Sequence, residues 1–253
     1  MEWWQILLII FGGLIVLVFL SAVFYVPFFK RFWDIFLSAV ALIVFSPLFF
    51  LLSLLGLLFM KGNPFFVQKR PGKKDKNGIE HIFNLLKFRT MTNAKDDLGN
   101  PLSDEQRLNR YGKFLRSTSL DELPELINIF AGNMSIIGPR PQLVKDMVFM
   151  NEEQRHRHDV RPGLSGLAQV NGRNNITWEQ KLDYDLKYLD RITFFGDVAL
   201  IFKTILKVFK RADTVRDGTV SDIDFGDWLL REGRVSHEEY KKKMKEAVII
   251  LHG

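Results

Sequence analysis

The sequence predicts a mainly helical α+β protein that is anchored in a membrane. Residues 1–60 are almost entirely apolar, whereas the remainder of the 253-residue chain is charged and polar. Within that polar part, short alternating runs that are typical of β-strands interrupt longer stretches with apolar residues at helical spacing. We therefore expect an N-terminal transmembrane helix, a re-entrant helix-break-helix, and a small cytosolic domain with amphipathic interfacial helices and a short β-hairpin.

Composition narrows the classes of partner. The net charge of +6 indicates an anionic partner, and beside an apolar N-terminus a membrane surface or a phosphorylated ligand comes before nucleic acid. The chain contains no cysteine, which excludes disulfides, thiolate chemistry and cysteine-ligated zinc. It also carries no recognised nucleic-acid-binding module, so we expect no nucleic-acid partner.

The first apolar segment is Trp3–Phe29, which contains no charged residue. As a helix it would reach roughly 40 Å, enough to cross a hydrocarbon core of about 30 Å. Lys30 and Arg31 follow it, while Glu2 is the only charge ahead, so the positive-inside rule places its C-terminal end in the cytoplasm. We predict a transmembrane helix within residues 1–29, with a buried core helix as the alternative.

The second apolar segment, residues 30–61, has Asp34 as the only charge between its basic ends. Ser46-Pro47 lies at its midpoint, and a proline there removes one helix hydrogen bond and forces a bend. Each limb is then about 14 residues or roughly 21 Å long, too short to cross. Basic residues flank both ends, which places both ends on one side. We predict a re-entrant helix; a kinked spanning helix is the alternative.

Two adjacent carboxylates, Asp121 and Glu122, precede Pro124. Proline is tolerated in the first turn of a helix, which places the predicted helix start near Asp121. Neighbouring helical residues do not face the same way, so one carboxylate can face a substrate while the other holds a metal. The alternative is ordinary capping, because acidic residues favour a first turn and Ser119 stands at capping-box spacing from Glu122.

Several cations are candidate phosphate ligands. Lys87 and Arg89 occupy alternate positions, and therefore one face if that stretch is extended. Arg116 lies five residues before Asp121. Arg140 lies between two prolines, and a guanidinium on a rigid support suits bidentate phosphate recognition. An ordinary surface role remains the alternative for each of them.

The other elements are predicted from periodicity. The runs PFFVQ (64–68) and EHIFN (80–84) predict a hairpin whose lysine-rich loop meets lipid headgroups or solvent. Glu105–Arg116 predicts a basic amphipathic helix. Ile192–Lys210 predicts a helix lying in the membrane interface, with core packing as the alternative. His156 and His158 lack a third ligand and would point apart on a helix, so we predict no metal site there.

Six features in order carry a resemblance to a known family. They are the Ser46-Pro47 break and the motifs FVQKRPG, LKFRTM, SLDELPEL, GPRP and RPGLSGLAQVNGR. From Lys30 to about Arg211 the chain resembles the bacterial sugar transferases, the monotopic polyprenol-phosphate phosphoglycosyl transferases. The resemblance implies transfer of a sugar-1-phosphate from a UDP-sugar to polyprenol (undecaprenyl) phosphate, with release of UMP, on the cytoplasmic face of the bacterial inner membrane.

The resemblance also implies roles for individual residues. Asp121 would be the nucleophile that forms an aspartyl-phosphosugar, and Glu122 would hold Mg²⁺. The phosphate and nucleotide site would be lined by Lys87, Arg116, Arg140, Arg173 and Asp197.

The implied organisation is a catalytic domain over residues 62–211, followed by an accessory tail, 212–253, in which we expect a short helical pair. Expected partners are the UDP-sugar, polyprenol phosphate and membrane lipids. The extra N-terminal helix suits either added anchoring or a homodimer contact. A non-enzymatic membrane scaffold acting through the basic face and the tail is the competing function, and membrane-tethered nucleic-acid binding is a third.

Overall fold

The computed structural model describes residues 2–172, 176–210 and 223–252. In these ranges the helices are α1 (Trp3–Val23), α2 (Lys30–Val44), α3 (Ser46–Met60), α4 (Asp104–Arg107), α5 (Arg110–Thr118), α6 (Glu125–Ala131), α7 (Val144–Met147), α8 (Glu152–Arg155), α9 (Leu167–Gly172), α10 (Trp178–Asp190), α11 (Phe194–Lys210), α12 (Phe225–Arg231) and α13 (His237–His252). The strands are β1 (Phe65–Lys74), β2 (Glu80–Phe88), β3 (Ser135–Ile137) and β4 (Gly163–Ser165). The predicted mainly helical α+β class is confirmed.

The two small sheets have different topologies. Strands β1 and β2 form the predicted hairpin, antiparallel from Phe65 opposite Phe88 to Pro71 opposite Ile82. The hairpin is longer than predicted, because β2 continues as far as Phe88. Strands β3 and β4 pair in parallel, which brings together two segments that lie far apart in the sequence.

Helix α1 is long and apolar enough, by length and composition, to cross a membrane. It ends at Val23 rather than near Phe29, and a π-helical turn, Tyr25–Phe29, follows. Phe24 leaves helical geometry at that point, and the proline at position 27 has no backbone N–H to continue the ladder. Near its end, α1 is joined to α2 by a hydrogen bond of 3.1 Å from Trp33 Nε1 to Ser21 Oγ.

Helices α2 and α3, called here the helix pair, are bent by 64° at a one-residue break. The break lies at Phe45, directly before the predicted Ser46-Pro47, and Pro47 lies in the first turn of α3. One face of the pair is exposed and apolar, as at Ile43 and Leu58, which are 74% and 72% exposed. The other face packs on the domain, where Leu52 is buried.

Arg31 at the start of α2 holds the C-terminal end of α6. Its guanidinium donates to the carbonyl oxygens of Ile129 at 2.7 Å and Phe130 at 2.9 Å. The last carbonyl groups of a helix have no partner inside the helix, so an arginine there satisfies them and complements the helix dipole. The N-terminal limb of the helix pair is therefore attached to α6.

The second limb is attached to the same domain through α5. Tyr111 donates its hydroxyl to the carbonyl oxygen of Leu52 at 2.6 Å, and the Asn109 amide donates to that of Phe59 at 3.0 Å. Asp34 adds a third connection from α2, because its buried carboxylate accepts 2.9 Å hydrogen bonds from the Ser135 hydroxyl and the Ile136 N–H of β3. Both ends of the helix pair therefore meet one folded unit.

Two predicted helices differ from the structure. The helix expected over 105–116 is divided into α4 and α5, because Leu108 is extended and Asn109 caps α5 by accepting from Gly112 N at 2.8 Å. Helix α11 begins at Phe194 rather than at Ile192 and is partly packed on the core: Leu200 is buried, while Phe202 is 63% exposed. Its apolar residues therefore serve the core on one side and remain uncovered on the other.

The C-terminal segment, residues 223–252, packs against the domain. The expected helical pair is present as α12 and α13. A buried cluster joins Phe225, Leu229 and Ala247 of this segment to Val144 and Met147 of α7. The segment therefore shares a hydrophobic core with the domain.

Replacing Arg31 with methionine removes both bonds to the end of α6 and leaves an unbranched apolar side chain in place of the arginine stem. We expect the free energy of unfolding to fall by about 1–3 kcal/mol, because two carbonyl oxygens lose a charged donor. The thermal midpoint in detergent micelles measures this. Lys61→Met, at an exposed cation on the opposite end of the helix pair, is the matched control, and an equal loss in both variants would contradict the role of Arg31.

Candidate active site

A cavity of about 1400 Å³ opens beside the hairpin, where β2, the turn before α6, the segment after β3 and the C-terminal segment approach one another. Its wall is rich in charge of both signs. The charged side chains that line it include Arg70, Lys87, Arg89, Arg116, Asp121, Glu122, Glu125, Arg140, Lys145 and Asp224. The structure thus brings together Asp121, Glu122 and three of the five predicted substrate-binding residues.

Asp121 and Glu122, the carboxylate pair, lie in a 3₁₀ turn between α5 and α6. The predicted α-helix start near Asp121 is wrong: α6 begins at Glu125. Pro124 occupies the N-cap position, and because proline has no N–H it suits the end of a turn better than a helix interior. Ser119 has a positive φ of 55°, which turns the chain sharply and separates the carboxylate pair from α5.

Glu122 is held by two cations. Its Oε1 accepts hydrogen bonds from Arg140 Nη2 at 2.6 Å and Lys87 Nζ at 3.1 Å. Lys87 also pairs with Glu125 Oε1 at 3.0 Å, and Glu122 and Glu125 are only 8% and 2% exposed. Buried carboxylates are costly unless they are paired, so Lys87 and Arg140 make this arrangement possible. These contacts favour a role for Glu122 in the candidate site over a role in a helix-capping box.

Burial and these ion pairs shift the pKa values of the charged groups. Burial raises the pKa of Glu125, Lys87 opposes that rise, and the neighbouring Glu122 charge adds to it. The Glu122 carboxylate raises the pKa of Arg140, so that guanidinium stays charged. Burial lowers the pKa of Arg116, while the Asp121 carboxylate opposes the change. Arg116 and Asp121 are thus close enough to interact electrostatically.

The backbone of Arg140 is held by a buried ion pair that was not predicted from the sequence. The Arg157 guanidinium donates to the Arg140 carbonyl oxygen at 2.6 Å and to Asp185 Oδ2 at 2.7 Å. Arg157 and Asp185 are almost fully buried. Gly138 is also required, because a Cβ at that position would lie 2.5 Å from the carbonyl oxygen of Arg161. No local pattern in the sequence indicated that Arg157 and Asp185 would meet.

Arg70 is a further cation of the cavity wall that was not predicted. Its guanidinium donates to the carbonyl oxygen of Pro141 at 3.1 Å and to Gln68 Oε1 at 2.6 Å. Burial, with the nearby charge of Arg140, lowers the pKa of Arg70 to about 10. The motif FVQKRPG that contains it was a signal that could have identified it.

One predicted substrate-binding residue, Asp197, does not line the cavity. Asp197 is buried elsewhere, where its carboxylate accepts from Lys30 Nζ at 2.5 Å and from the hydroxyls of Tyr25 at 2.7 Å and Tyr188 at 2.9 Å. It therefore connects α11 to the start of the helix pair. Arg173 lies outside the described residues.

The two histidines have separate partners. His156 faces Asp159, while His158 contacts Glu80 at 3.2 Å and is buried, which lowers its pKa to about 4. Over residues 2–172, 176–210 and 223–252 no group of three or more metal-ligating side chains comes together.

The carboxylate pair fits Mg²⁺ by its chemistry. Mg²⁺ takes hard oxygen ligands and is usually held by one or two carboxylates together with waters and substrate phosphates. Asp121 and Glu122 offer such oxygens on the cavity wall. Glu122 Oε1 is shared with Lys87 and Arg140, so an ion held there would coexist with both cations.

Lys87→Met leaves two buried carboxylates without their shared lysine, and we expect about 3–5 kcal/mol lower stability. The folded pKa of Glu125 is raised, so its ionised form destabilises the fold as the pH rises above the unfolded value. The loss in thermal midpoint should therefore be greater at pH 8 than at pH 5. The double variant K87M/E125Q should recover stability and lose this pH dependence; a pH-independent loss in K87M would contradict the assignment.

Comparison with known proteins agrees with the sequence motifs. The family model described as bacterial sugar transferase matches residues 25–211. The uncharacterized sugar transferase EpsL of Bacillus subtilis is 41% identical over 180 residues, which cover 71% of this chain and 86% of EpsL.

Two longer relatives carry more specific names. The UDP-glucose:undecaprenyl-phosphate glucose-1-phosphate transferase of Klebsiella pneumoniae is 37% identical over 195 residues, 72% of this chain and 40% of that protein. The undecaprenyl-phosphate galactose phosphotransferase of Salmonella typhimurium is 33% identical over 208 residues, 73% of this chain and 41% of that protein. With the family match covering most of the chain, this protein belongs to the bacterial sugar transferase family and is a transferase enzyme.

Proposed function

We propose that this enzyme transfers a sugar-1-phosphate from a UDP-sugar to undecaprenyl phosphate at a membrane surface. The observation that carries the proposal is the carboxylate pair facing a cation-lined cavity beside a bent apolar helix pair. The two longer relatives from Klebsiella pneumoniae and Salmonella typhimurium carry undecaprenyl phosphate in their names. The products would be UMP and a polyprenol-diphosphate-linked sugar.

Both reactants and the nucleophile are anionic, so repulsion is the main obstacle to reaction. Lys87, Arg116 and Arg140 line the same cavity as the carboxylate pair. Fixed cations of this kind attract the donor diphosphate and stabilise the charge that spreads over the transferring phosphoryl group. Arg140 is suited to this task because its backbone is held in place by Arg157.

Asp121 is the nucleophile in this proposal. One of its carboxylate oxygens attacks the phosphorus that bears the sugar, and the bond from that phosphorus to the UMP oxygen breaks with its electron pair leaving on UMP. An oxygen of polyprenol phosphate then attacks the same phosphorus and releases the Asp121 carboxylate. Asp121 is only half-buried, whereas Glu122 is buried and paired with two cations, which favours Asp121 as the attacking group.

Glu122 would hold Mg²⁺ together with phosphate oxygens of the donor. When bound, the ion would supply positive charge beside the phosphoryl oxygens during transfer. The donor diphosphate would also compete with Glu122 for Lys87 and Arg140.

The helix pair would enter and leave the membrane on the cytoplasmic side. Support comes from its two limbs, which both attach to one domain through Arg31 and Tyr111, and from its exposed apolar face. The uncovered apolar residues of α11, with Lys203 and Lys207 on the same helix, would lie at the interface. This arrangement would place the cavity at headgroup depth, at the level of the phosphate of the lipid acceptor.

Replacing Asp121 with asparagine tests the covalent step. With a UDP-sugar labelled in the phosphate next to the sugar, the wild type should release UMP and retain label on the protein. We expect Asp121→Asn to form no adduct and to lose about 10³-fold or more of its activity. Asp183→Asn, at an exposed carboxylate away from the cavity, is the control. An adduct that persists in D121N would exclude Asp121 as the nucleophile.

Removal of divalent cations tests the role of Glu122. We expect EDTA to abolish UMP release and added Mg²⁺ to restore it. Glu122→Gln should need about tenfold or more Mg²⁺ for half-maximal activity, since an amide is a weaker ligand than a carboxylate. Glu153→Gln, at an exposed position, should keep the wild-type requirement. Full wild-type activity in EDTA would rule out the metal.

A further inference from the structure

The C-terminal segment forms part of the cavity wall although it lies beyond the family match. The match ends at residue 211, yet Ile223 and Asp224 line the same cavity as the carboxylate pair. The part of the site that this segment supplies is therefore additional to what the family match covers.

This wall is fixed rather than loosely apposed. Trp178 Nε1 donates to the carbonyl oxygen of Ile223 at 2.9 Å, and Phe225 N donates to Asp146 Oδ1 at 2.9 Å. The rings of Trp178 and Phe225 lie 5.1 Å apart. Gly226 allows close approach, because a Cβ there would lie 2.5 Å from the ring of Phe149. Asp224 is consequently held at a defined position, between two residues that are hydrogen-bonded to the domain.

Asp224 forms an ion pair with Lys145 of α7, and both residues line the cavity. Their side chains keep 28% and 37% of their surface exposed, so neither is sealed by the pair. Together they present a hydrogen-bond acceptor beside a donor. A sugar hydroxyl is both a donor and an acceptor, so two neighbouring hydroxyls match this pair.

The Asp224–Lys145 pair differs in charge from the residues around the carboxylate pair. Lys87, Arg116 and Arg140 lie around the carboxylate pair and suit anionic groups. The pair carries no net charge and its carboxylate would repel a phosphate, so it suits an uncharged, hydroxyl-rich part of the donor. That description fits the sugar.

We propose that Asp224 and Lys145 bind hydroxyl groups of the donor sugar and determine which sugar is accepted. The inference rests on the proposed function, because it names the part of the donor that this wall recognises. Two relatives are named for glucose and for galactose, sugars that differ in the direction of one hydroxyl. Asp224 lies outside the family match, so its contacts can differ from one member of the family to another and can distinguish such sugars.

The test uses Asp224→Asn, Lys145→Met and the double variant in the full-length protein. UMP release is measured with UDP-glucose, UDP-galactose and UDP-N-acetylglucosamine, and kcat/KM for the preferred donor is divided by that for each of the others. We expect this ratio to fall about tenfold or more in each single variant, because a site built to hydrogen-bond a hydroxyl discriminates strongly. The double variant should lose little more, since the two residues act as a pair. Inhibition by UMP should stay as in the wild type.

Glu179→Gln is the matched control. Glu179 on α10 forms an ion pair with Arg234 of the C-terminal segment, and neither residue lines the cavity. If E179Q changed the donor ratio as much as D224N, the effect would come from attachment of the segment, and the proposal would be wrong.

Two other results would also overturn it: a donor ratio in D224N equal to that of the wild type, or UMP inhibition that weakens in step with donor use. Weakened inhibition by UMP would indicate that Asp224 and Lys145 bind the nucleotide instead of the sugar. If the wild type releases UMP and D224N keeps the wild-type ratio of kcat/KM between donors, only this inference is contradicted. A wild type inactive toward every donor contradicts the proposed function itself.

Discussion

The ion pairs and hydrogen bonds that bind α2 to the domain are the constraint on which the rest of the structure depends. Arg31 holds the end of α6, and Asp34 holds β3. Lys30 donates to the carbonyl oxygen of Ile137 at 2.9 Å and pairs with Asp197. Charges in apolar surroundings are stable only when they are paired and hydrogen-bonded. The helix pair cannot leave the domain without breaking these contacts.

Two short elements, α6 and β3, connect these contacts to the candidate active site. Helix α6 begins just after the turn with Asp121 and Glu122, so holding its C-terminal end orients the carboxylate pair. Strand β3 ends at Ile137, three residues before Arg140. The same helix thereby supports the carboxylate pair and Arg140, whose guanidinium binds Glu122. A helix without these charged side chains would hold neither position.

Features with a local cause could be predicted from the sequence. A proline in the middle of an apolar segment removes a helix hydrogen bond there, and the runs 64–68 and 80–84 alternate as strands do, so the break and the hairpin were foreseen. The start of α6 was misplaced because Pro124 is compatible both with a first turn and with the cap before it. Only the packed structure distinguishes these two positions.

The remaining features depend on partners that are distant in the sequence. Asp34 was recognised as a charge in an apolar segment, but its partner Ser135 lies 101 residues away. Asp197 was assigned to the substrate site, yet its partners Lys30 and Tyr25 belong to the start of α2 and the π-helical turn before it. No periodicity encodes such pairs. The contribution of the C-terminal segment to the cavity was missed for the same reason.

The number of membrane crossings before the domain tests whether α1 spans the membrane and the helix pair returns to the face from which it entered. Because the chain has no cysteine, Glu2→Cys and Lys76→Cys each introduce a single thiol, at exposed positions in the N-terminus and in the hairpin turn. In intact cells or right-side-out vesicles, we expect a membrane-impermeant maleimide to label Glu2→Cys at once and Lys76→Cys only after permeabilisation. Labelling of both positions on the same side would require an even number of crossings and would contradict a spanning α1 followed by a helix pair that returns to its starting face.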